Sequence, residues 1–247
     1  MAVVDDNQIA QWAHELADAP AADVLAWAAG RFGPRVAMAT GFGAEGCVLI
    51  HLIGTSRLPI DIFTIDTGLL FPETYQLWWA LERKYDLHIR GVEPRLSLGA
   101  QAAAHGPALW ASDPDRCCAL RKVQPLDAER ERLDAWISAV RHDQTAARAG
   151  SSVVERDPAS GLVKINPIAR WTHDRVWAFI RANDVPFNPL HGRGYPSIGC
   201  EPCTTPVAEG ESPRAGRWRG REKTECGIHV ERVAVPATFF TTRPEGA

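Results

Sequence analysis

The sequence predicts an α/β fold in which a mainly parallel, twisted sheet is covered by helices on both faces. Short apolar runs alternate along the chain with amphipathic stretches of helical length, a pattern typical of strand–helix–strand units. The composition agrees, because 45% of the 247 residues are hydrophobic and 23% are charged, as in ordinary soluble domains. A chain of this length can bury a sizeable core without disulfide bonds.

The predicted helices follow from amphipathic periodicity and from signals at their ends. Pro20 separates the first two helices, and Pro72 opens a later one at a position where its missing N–H costs nothing. Thr172 can cap the last helix. The predicted helices span residues 7–19, 22–32, 44–53, a stretch beginning at 72, 117–132 and 172–183.

The predicted strands are the short apolar runs between these helices, which read as buried. They span residues 36–39, 60–65, 88–92, 135–140 and 163–165. After Pro189 the chain becomes rich in Gly, Pro and Arg and shows no helical or strand period through residue 221. We predict that this last part is a loop-rich appendage ending in a mobile tail.

Three turns lie where predicted strands end, at residues 40–43, 66–68 and 141–144. In open parallel sheets, ligands bind beyond the carboxyl ends of the strands. The first turn, Thr-Gly-Phe-Gly, resembles a phosphate-cradling loop before a helix, although no Gly-Lys-Ser/Thr follows as in a Walker motif. The residue types suit a nucleotide, and the candidate binding residues are Gly43, Thr67 and Arg141.

The net charge and the N-terminal sequence argue against two classes of partner. A formal net charge of −3 argues against nucleic-acid binding through phosphate neutralisation. No stretch approaches the roughly 20 apolar residues needed to cross a bilayer. The first 20 residues lack the positive charge and apolar segment of a signal peptide. We therefore expect a cytoplasmic protein without a membrane partner, whose thiols stay reduced.

Four of the six cysteines form two close pairs. Cys117 and Cys118 are adjacent on a predicted helix, whereas Cys200 and Cys203 flank Glu-Pro in a loop. Four thiolates in two pairs suit a tetrahedral metal or a four-iron cluster, and the adjacent pair favours the cluster. Two alternatives remain: a structural zinc, or a core pair together with a redox pair. Cys47 is interpreted as a packing residue.

Cys226 is the candidate nucleophile, because a thiolate is the reactive form of cysteine. It lies near the end of the chain in Lys-Thr-Glu-Cys-Gly-Ile-His, where Lys223 and His229 would favour the thiolate and Glu225 would oppose them. Four arginines lie just upstream, within residues 214–221. They can hold a phosphate or sulfate by charge-assisted hydrogen bonds, the alternative being a solvated basic loop.

Longer motifs carry a resemblance to a known family. They are Gly43-Ala-Glu, Asp66-Thr-Gly-Leu-Leu-Phe-Pro-Glu-Thr-Tyr75, Cys117-Cys-Ala-Leu-Arg-Lys-Val123, Asn188-Pro-Leu-His, Gly194-Tyr-Pro-Ser-Ile-Gly-Cys-Glu-Pro-Cys203, Arg214-Ala-Gly-Arg-Trp218 and Glu225-Cys-Gly-Ile-His229. In order and spacing, from about residue 35 to residue 229, they resemble the assimilatory adenylyl-sulfate (APS) reductases, relatives of the phosphoadenylyl-sulfate (PAPS) reductases.

The resemblance implies a fold like that of the adenine-nucleotide α-hydrolases, with a [4Fe-4S] cluster on the two cysteine pairs. Cys226 matches the catalytic thiol of the family. Lys122, Arg214, Arg217 and His229 match positions that face the phosphate–sulfate group in the family. Family members that carry the cysteine pairs typically use APS, whereas those that lack them use the 3′-phosphorylated nucleotide.

Two departures from the family pattern lie near the nucleotide site. Gly41 and Gly46 stand where the family commonly has a serine and an aspartate. The family segment Gly-x-Arg-Arg-x-Gln-Ser begins here with Ala139 and carries His142 after the retained Arg141. We therefore expect the adenosine site to differ slightly in shape.

These observations predict one activity. The chain would reduce APS to sulfite and AMP in assimilatory sulfate reduction and cysteine biosynthesis, through a Cys226 S-sulfonate and with electrons from thioredoxin or a similar dithiol protein. Residues 1–205, with N-terminal helices in 1–32, would form the reductase domain, and residues 206–247 the Arg-rich loop and catalytic tail. The alternatives are a PAPS reductase and a non-catalytic, zinc-stabilised nucleotide-binding module. An ATP-dependent adenylating enzyme is disfavoured because its Ser-Gly-Gly-x-Asp-Ser turn is absent.

Overall fold

A mixed, mostly parallel sheet organises the computed structural model, which describes residues 4–223 and 225–228. The strands are β1 (Val36–Thr40), β2 (Asp61–Ile65), β3 (Ile89–Val92), β4 (Ala135–Ile137), β5 (Val154–Arg156) and β6 (Val163–Ile165). Their order across the six-stranded sheet is β3-β2-β1-β4-β6-β5. Neighbouring strands run parallel, except that β5 pairs antiparallel with β6 at one edge.

Helices precede, connect and follow the strands. They are α1 (Asp6–Glu15), α2 (Ala21–Phe32), α3 (Ala44–Thr55), α4 (Pro72–Tyr85), α5 (Leu98–His105), α6 (Leu109–Ser112), α7 (Pro114–Cys118), α8 (Gln124–Arg130) and α9 (His173–Ala182). Two of the predicted end signals are present: Pro72 occupies the first position of α4, and the Thr172 hydroxyl accepts a hydrogen bond from the Arg175 N–H at 3.2 Å. Within the described residues, no helix combines the length and apolar character needed to span a membrane.

Successive residues along the central strands pack into two different hydrophobic clusters. In β4, Ile137 joins the larger cluster together with residues of α2, α3 and α9, whereas its neighbour Trp136 joins a smaller cluster with Leu126 of α8. Side chains of a strand point alternately to opposite faces, so the two clusters mark the two faces of the sheet. The prediction of helices on both faces is therefore confirmed.

The predicted helix over residues 117–132 is interrupted by a π-helical segment, Ala119–Val123, between α7 and α8. Pro125 lies in the first turn of α8 and has no N–H to donate to the carbonyl of Arg121. The wider π turn accommodates this missing bond. As a result, Cys118 and Lys122 are separated by a π turn, and not by the regular α-helical turn expected from sequence.

The segment after α9 packs against the carboxyl end of β2. A short 3₁₀ turn, Glu201–Cys203, follows an isolated bridge between Leu70 and Cys200, and the Glu201 N–H donates to the Leu69 carbonyl at 2.8 Å. A second bridge joins Thr204 to Arg217, which brings the arginine-rich loop back over the cysteines. The division of the chain at residue 205 stays a prediction.

Candidate active site

The main pocket lies at the point where the sheet reverses its order of strands. The chain passes from β1 to β2 and β3 on one side, then returns to β4 on the other side of β1. Such a switch point opens a crevice beyond the carboxyl ends of the strands, where open α/β sheets bind ligands. Here the crevice is a cavity of about 270 Å³. It is lined by residues that follow β1, β2 and β4 and by residues of the arginine-rich loop and the tail.

The turn after β1 presents backbone to this pocket. Phe42 has a φ of +57°, and its N–H donates to the Thr40 hydroxyl at 3.1 Å. The Phe42 ring stacks on Trp78 of α4, with ring centroids 5.6 Å apart, and this contact anchors the turn to α4. Gly43 lies at the N-cap of α3 and has no side chain to cap it. The first N–H groups of α3 therefore face the pocket as a ready site for an anion.

The glycine at position 46 has a steric reason in this chain. A Cβ built on Gly46 would lie 2.7 Å from the Thr40 hydroxyl oxygen, closer than side chains tolerate. Thr40 supplies the hydroxyl that accepts from the turn, so Gly46 leaves room for it. The family aspartate at this place would clash with Thr40, which explains Gly46; a Cβ on Gly41 would meet no atom within 4 Å, so Gly41 has no such reason.

Arg141 is buried beside the pocket and is not part of its lining. Its Nε donates to Glu45 Oε1 at 3.0 Å, and its Nη1 lies 2.7 Å from Asp143 Oδ1. Glu45 itself lines the pocket. The guanidinium thus fastens the turn after β4 to the first turn of α3, and its direct contact with a ligand stays a prediction.

Three of the predicted basic residues line the same pocket as Cys226. They are Lys122, Arg214 and Arg217. Burial lowers the pKa of Lys122, but the Cys200 and Cys226 thiolates outweigh burial and leave that pKa above its ordinary value. Lys122 is therefore a cation at neutral pH. Gly43 and Thr67 also line the pocket. His229 lies outside the described residues.

Arg217 is held by its surroundings through its Nη1 and the face of its guanidinium. Its guanidinium carbon lies 4.6 Å from the centre of the Trp218 ring, and its Nη1 donates to the Ile198 carbonyl at 3.3 Å. Its Nε is buried and has no hydrogen-bond partner within the part of the chain that the structure describes. Gly199 makes this placement possible, because a Cβ there would lie 2.3 Å from the Arg217 Nη2.

The sequence analysis did not predict that Arg148 and Glu225 lie together in the pocket as an ion pair. Arg148 lines the pocket, and its Nη2 lies 3.3 Å from both carboxylate oxygens of Glu225. Glu225 also accepts from Arg214 Nη2 at 3.1 Å. The sequence offered no signal for Arg148, because its partner lies 77 residues further along the chain.

The two cysteine pairs line a second, smaller pocket. Its lining includes Cys117, Cys118, Cys200 and Cys203. Burial raises the pKa of Cys118 to about 11 and also raises the pKa values of Cys117 and Cys203. Burial acts in the same direction on Cys200, but Lys122, the Thr67 hydroxyl and Arg217 outweigh it and lower the Cys200 pKa. At no place in residues 4–223 and 225–228 do three or more His, Cys, Asp or Glu side chains converge to hold a single metal ion.

The two pockets share a wall. Lys122 lines both, and the Thr67 hydroxyl, which lines the larger pocket, lies 3.3 Å from Cys200 Sγ. Arg121, which is buried and lines the smaller pocket, donates through Nε to the Thr67 carbonyl at 2.5 Å and through Nη1 to Gln101 at 3.1 Å. The cysteine pocket and the basic side of the larger pocket are therefore built on one hydrogen-bonded frame.

The fold and pocket define an α/β protein with a nucleotide-type crevice that also contains a cysteine and several cations. Comparison with known proteins gives the family. A model of the phosphoadenosine phosphosulfate reductase domain matches residues 35–206, and the chain belongs to this family.

Curated relatives cover most of the chain. The adenosine 5′-phosphosulfate reductase of Salinibacter ruber is 46% identical over 209 residues, covering 84% of this chain and 82% of the relative. The phosphoadenosine 5′-phosphosulfate reductase of Gloeobacter violaceus is 42% identical over 230 residues, covering 92% of this chain and 95% of the relative. The predicted family and the prediction of an oxidoreductase acting on sulfur are confirmed.

Solved structures confirm the fold. A PAPS reductase from Candida auris, solved with phosphate, superposes with a TM-score of 0.73 at 32% identity and covers 82% of this chain and 98% of its own. Yeast FAD synthetase superposes with a TM-score of 0.53 at 16% identity, covering 83% of this chain and 70% of its own, and shows a likeness of fold alone. The adenine-nucleotide α-hydrolase-like fold is therefore confirmed.

Proposed function

We propose that this chain reduces APS to sulfite and AMP through covalent catalysis by Cys226. The Cys226 thiolate attacks the sulfur of the sulfate group, a sulfur–sulfur bond forms, and the bond from that sulfur to the phosphate oxygen breaks. AMP leaves with the electron pair. The enzyme then carries a Cys226 S-sulfonate, and this covalent intermediate divides a difficult step into two easier ones.

One observation supports this proposal above the others: Cys226 lines the same pocket as the turn after β1 and the cations Lys122, Arg214 and Arg217. A thiolate approaching a sulfate ester meets electrostatic repulsion, since both are anions. Fixed cations in the pocket offset that repulsion and stabilise the charge that develops on the leaving phosphate. The free Nε of Arg217 is a donor that the described protein groups leave for such an anion.

We further propose that the two cysteine pairs hold a [4Fe-4S] cluster. The donor set fits this group, because four thiols from two separate segments line one pocket and remain unlinked by disulfides. When bound, such a cluster supplies charge and polarisable sulfur next to Lys122. Lys122 stays charged and lines both pockets. It can therefore face the substrate while it lies beside the cysteines that would hold the cluster.

The second half-reaction requires a thiol from another protein, for which we propose a thioredoxin-like dithiol in the cytoplasm. Its first thiolate attacks the Cys226 sulfur, and sulfite leaves with the electrons of the broken sulfur–sulfur bond. Its second thiol resolves the mixed disulfide, so the dithiol is oxidised to a disulfide and the Cys226 thiol is regenerated. A cysteine near the chain terminus, half-buried here, suits a group that must serve two partners in turn.

The substrate is proposed to be APS because the chain carries both cysteine pairs, although one curated relative is named for PAPS. Turnover of APS and of PAPS at limiting concentration, with sulfite measured, distinguishes them. We expect the higher kcat/KM with APS, and a preference for PAPS would overturn the assignment.

The same sulfite assay tests the nucleophile. Cys226→Ser should abolish sulfite release and retain AMP binding, whereas Cys47→Ala, which removes a thiol buried in α3, should keep turnover. Sulfite release by Cys226→Ser would refute the covalent mechanism.

A further inference from the structure

The residue before the proposed nucleophile carries a carboxylate that lies between two arginines of the pocket. We propose that Glu225 is a positioning residue: its carboxylate, shared by Arg148 and Arg214, is a clasp that holds Cys226 over the pocket. This inference rests on the proposed function for its chemical consequence, while the clasp itself can be tested without substrate.

The clasp is well shielded from water. The exposed fractions of the Arg148, Glu225 and Arg214 side chains are 14%, 13% and 23%. Arg148 reaches both carboxylate oxygens, and its Nη1 also donates to Gln144 Oε1 at 2.7 Å. The arginine is therefore fixed to the loop after β4 before it meets the tail. Ion pairs with this degree of burial are stronger than exposed ones, since solvent screens them less.

Other described contacts hold the chain on either side of Cys226. Before it, Lys223 pairs with Asp115 at the start of α7. After it, the Ile228 carbonyl accepts from Arg130 Nη2 at 3.4 Å, which is a long hydrogen bond. Glu225 is adjacent to Cys226 and binds two arginines at once, so it is the strongest described restraint on the nucleophile.

The clasp also has an electrostatic cost. Within the described lining, the carboxylates facing this pocket are Glu45, which is paired with Arg141, and Glu225. Glu225 offsets part of the charge of Arg148 and Arg214, two cations that an incoming nucleotide phosphate would otherwise meet unopposed. The two roles act in opposite directions: Glu225 weakens anion binding and favours attack by a correctly placed thiolate.

Replacement of Glu225 should therefore change AMP binding and the sulfonation rate in opposite directions, which the loss of a purely structural residue would not do. In Glu225→Gln, we expect AMP to bind several-fold more tightly, because the two arginines lose a competing carboxylate. At saturating APS, we expect the first-order rate of S-sulfonation of Cys226 to fall by about tenfold or more, in the range of coupling between adjacent residues. Glu225→Asp should fall between the wild type and Glu225→Gln in both measurements.

A substrate-free measurement tests the clasp separately. Alkylation of Cys226 by iodoacetamide is followed by peptide mass, at pH values high enough that the thiol is fully ionised and the rate no longer varies. Under these conditions the alkylation rate depends on how easily iodoacetamide reaches Cys226, and we expect Glu225→Gln to raise that rate several-fold. Glu222→Gln is the matched control: Glu222 is exposed, lies three residues earlier and forms no ion pair with any described residue, so all three measurements should equal those of the wild type.

These measurements distinguish a failure of the Glu225 clasp from a failure of the proposed function. Tighter AMP binding, slower sulfonation and faster alkylation in Glu225→Gln support the clasp. Unchanged alkylation, or AMP binding that weakens together with sulfonation, overturns it. A wild-type protein that is alkylated at Cys226 but never sulfonated by APS refutes the proposed function, and the alkylation comparison still decides the clasp.

Discussion

Replacement of Gly199 by alanine should displace Arg217 without unfolding the protein. The added Cβ would lie 2.3 Å from Arg217 Nη2 and 2.5 Å from its Cζ, whereas ordinary contact begins near 3.4 Å. The guanidinium must therefore move by about 1 Å. Gly199 lies outside the left-handed region of backbone space, so alanine is compatible with the backbone itself.

The expected effect on activity follows from that displacement. A misplacement of about 1 Å in a group that positions substrate can cost about 100-fold in rate. We expect kcat/KM for APS to fall by about this factor, equivalent to about 2.7 kcal/mol. The stability loss should be about 1 kcal/mol or less, because the atoms in the way are the far end of a flexible side chain.

The assay combines sulfite release, thermal unfolding and iron content. Gly192→Ala is the matched control: it lies in the same loop-rich region, and a Cβ there would meet no atom within 4 Å. The double variant Gly199→Ala/Arg217→Ala should be no slower than Arg217→Ala alone, because the methyl group acts only through the arginine. Full activity of Gly199→Ala, or strict additivity in the double variant, would show that the added methyl group does not act through Arg217.

Four further variants have expected outcomes. Cys118→Ser should lose iron and turnover together, and an iron-free variant with full turnover would show that the cluster does not support Lys122. Gly46→Ala should raise the KM for APS by roughly tenfold, because overpacking of about 1–3 kcal/mol against the Thr40 hydroxyl distorts the turn after β1. Gly30→Ala, in an open position of α2, should leave KM unchanged and stabilise the protein by about 0.5–1 kcal/mol. Asp157→Asn breaks the ion pair between Arg130 and Asp157, whose side chains are 3% and 1% exposed. Because Arg130 keeps its ion pair with Asp127, the unfolding free energy should fall by about 3 kcal/mol, the lower end of the range for a broken buried pair. A denaturation midpoint equal to that of the wild type would count against this value.

The central strands β1, β2 and β4 were predictable because each is a short, mainly apolar and buried run. β1, for example, is Val-Ala-Met-Ala-Thr, and its residues are buried or nearly so. The edge strand β5 was not predicted, since Val-Glu-Arg carries one buried residue in three and has no apolar run. Its place depends on antiparallel pairing with β6, a tertiary contact that no local pattern reports.

The same distinction applies to the site. Lys122 and Arg217 were found because they lie in motifs with a family resemblance, and the structure brings both to the pocket of Cys226. Arg148 has no motif of its own, and its importance depends on Glu225, distant in sequence. Arg141 was expected at the ligand, and this stays a prediction; its ion pair with Glu45 could not be predicted, because Glu45 lies 96 residues earlier in the chain.

We expect Cys226 to become covalently sulfonated because fixed cations in one pocket make its approach to an anionic sulfate favourable. The direct test is the mass of the Cys226 peptide after anaerobic incubation of the holoenzyme with APS. We expect an added SO₃ group on that peptide, released as sulfite when reduced thioredoxin is supplied. An unmodified Cys226 peptide, or sulfonation on another cysteine while AMP is formed, would show that Cys226 is not the nucleophile.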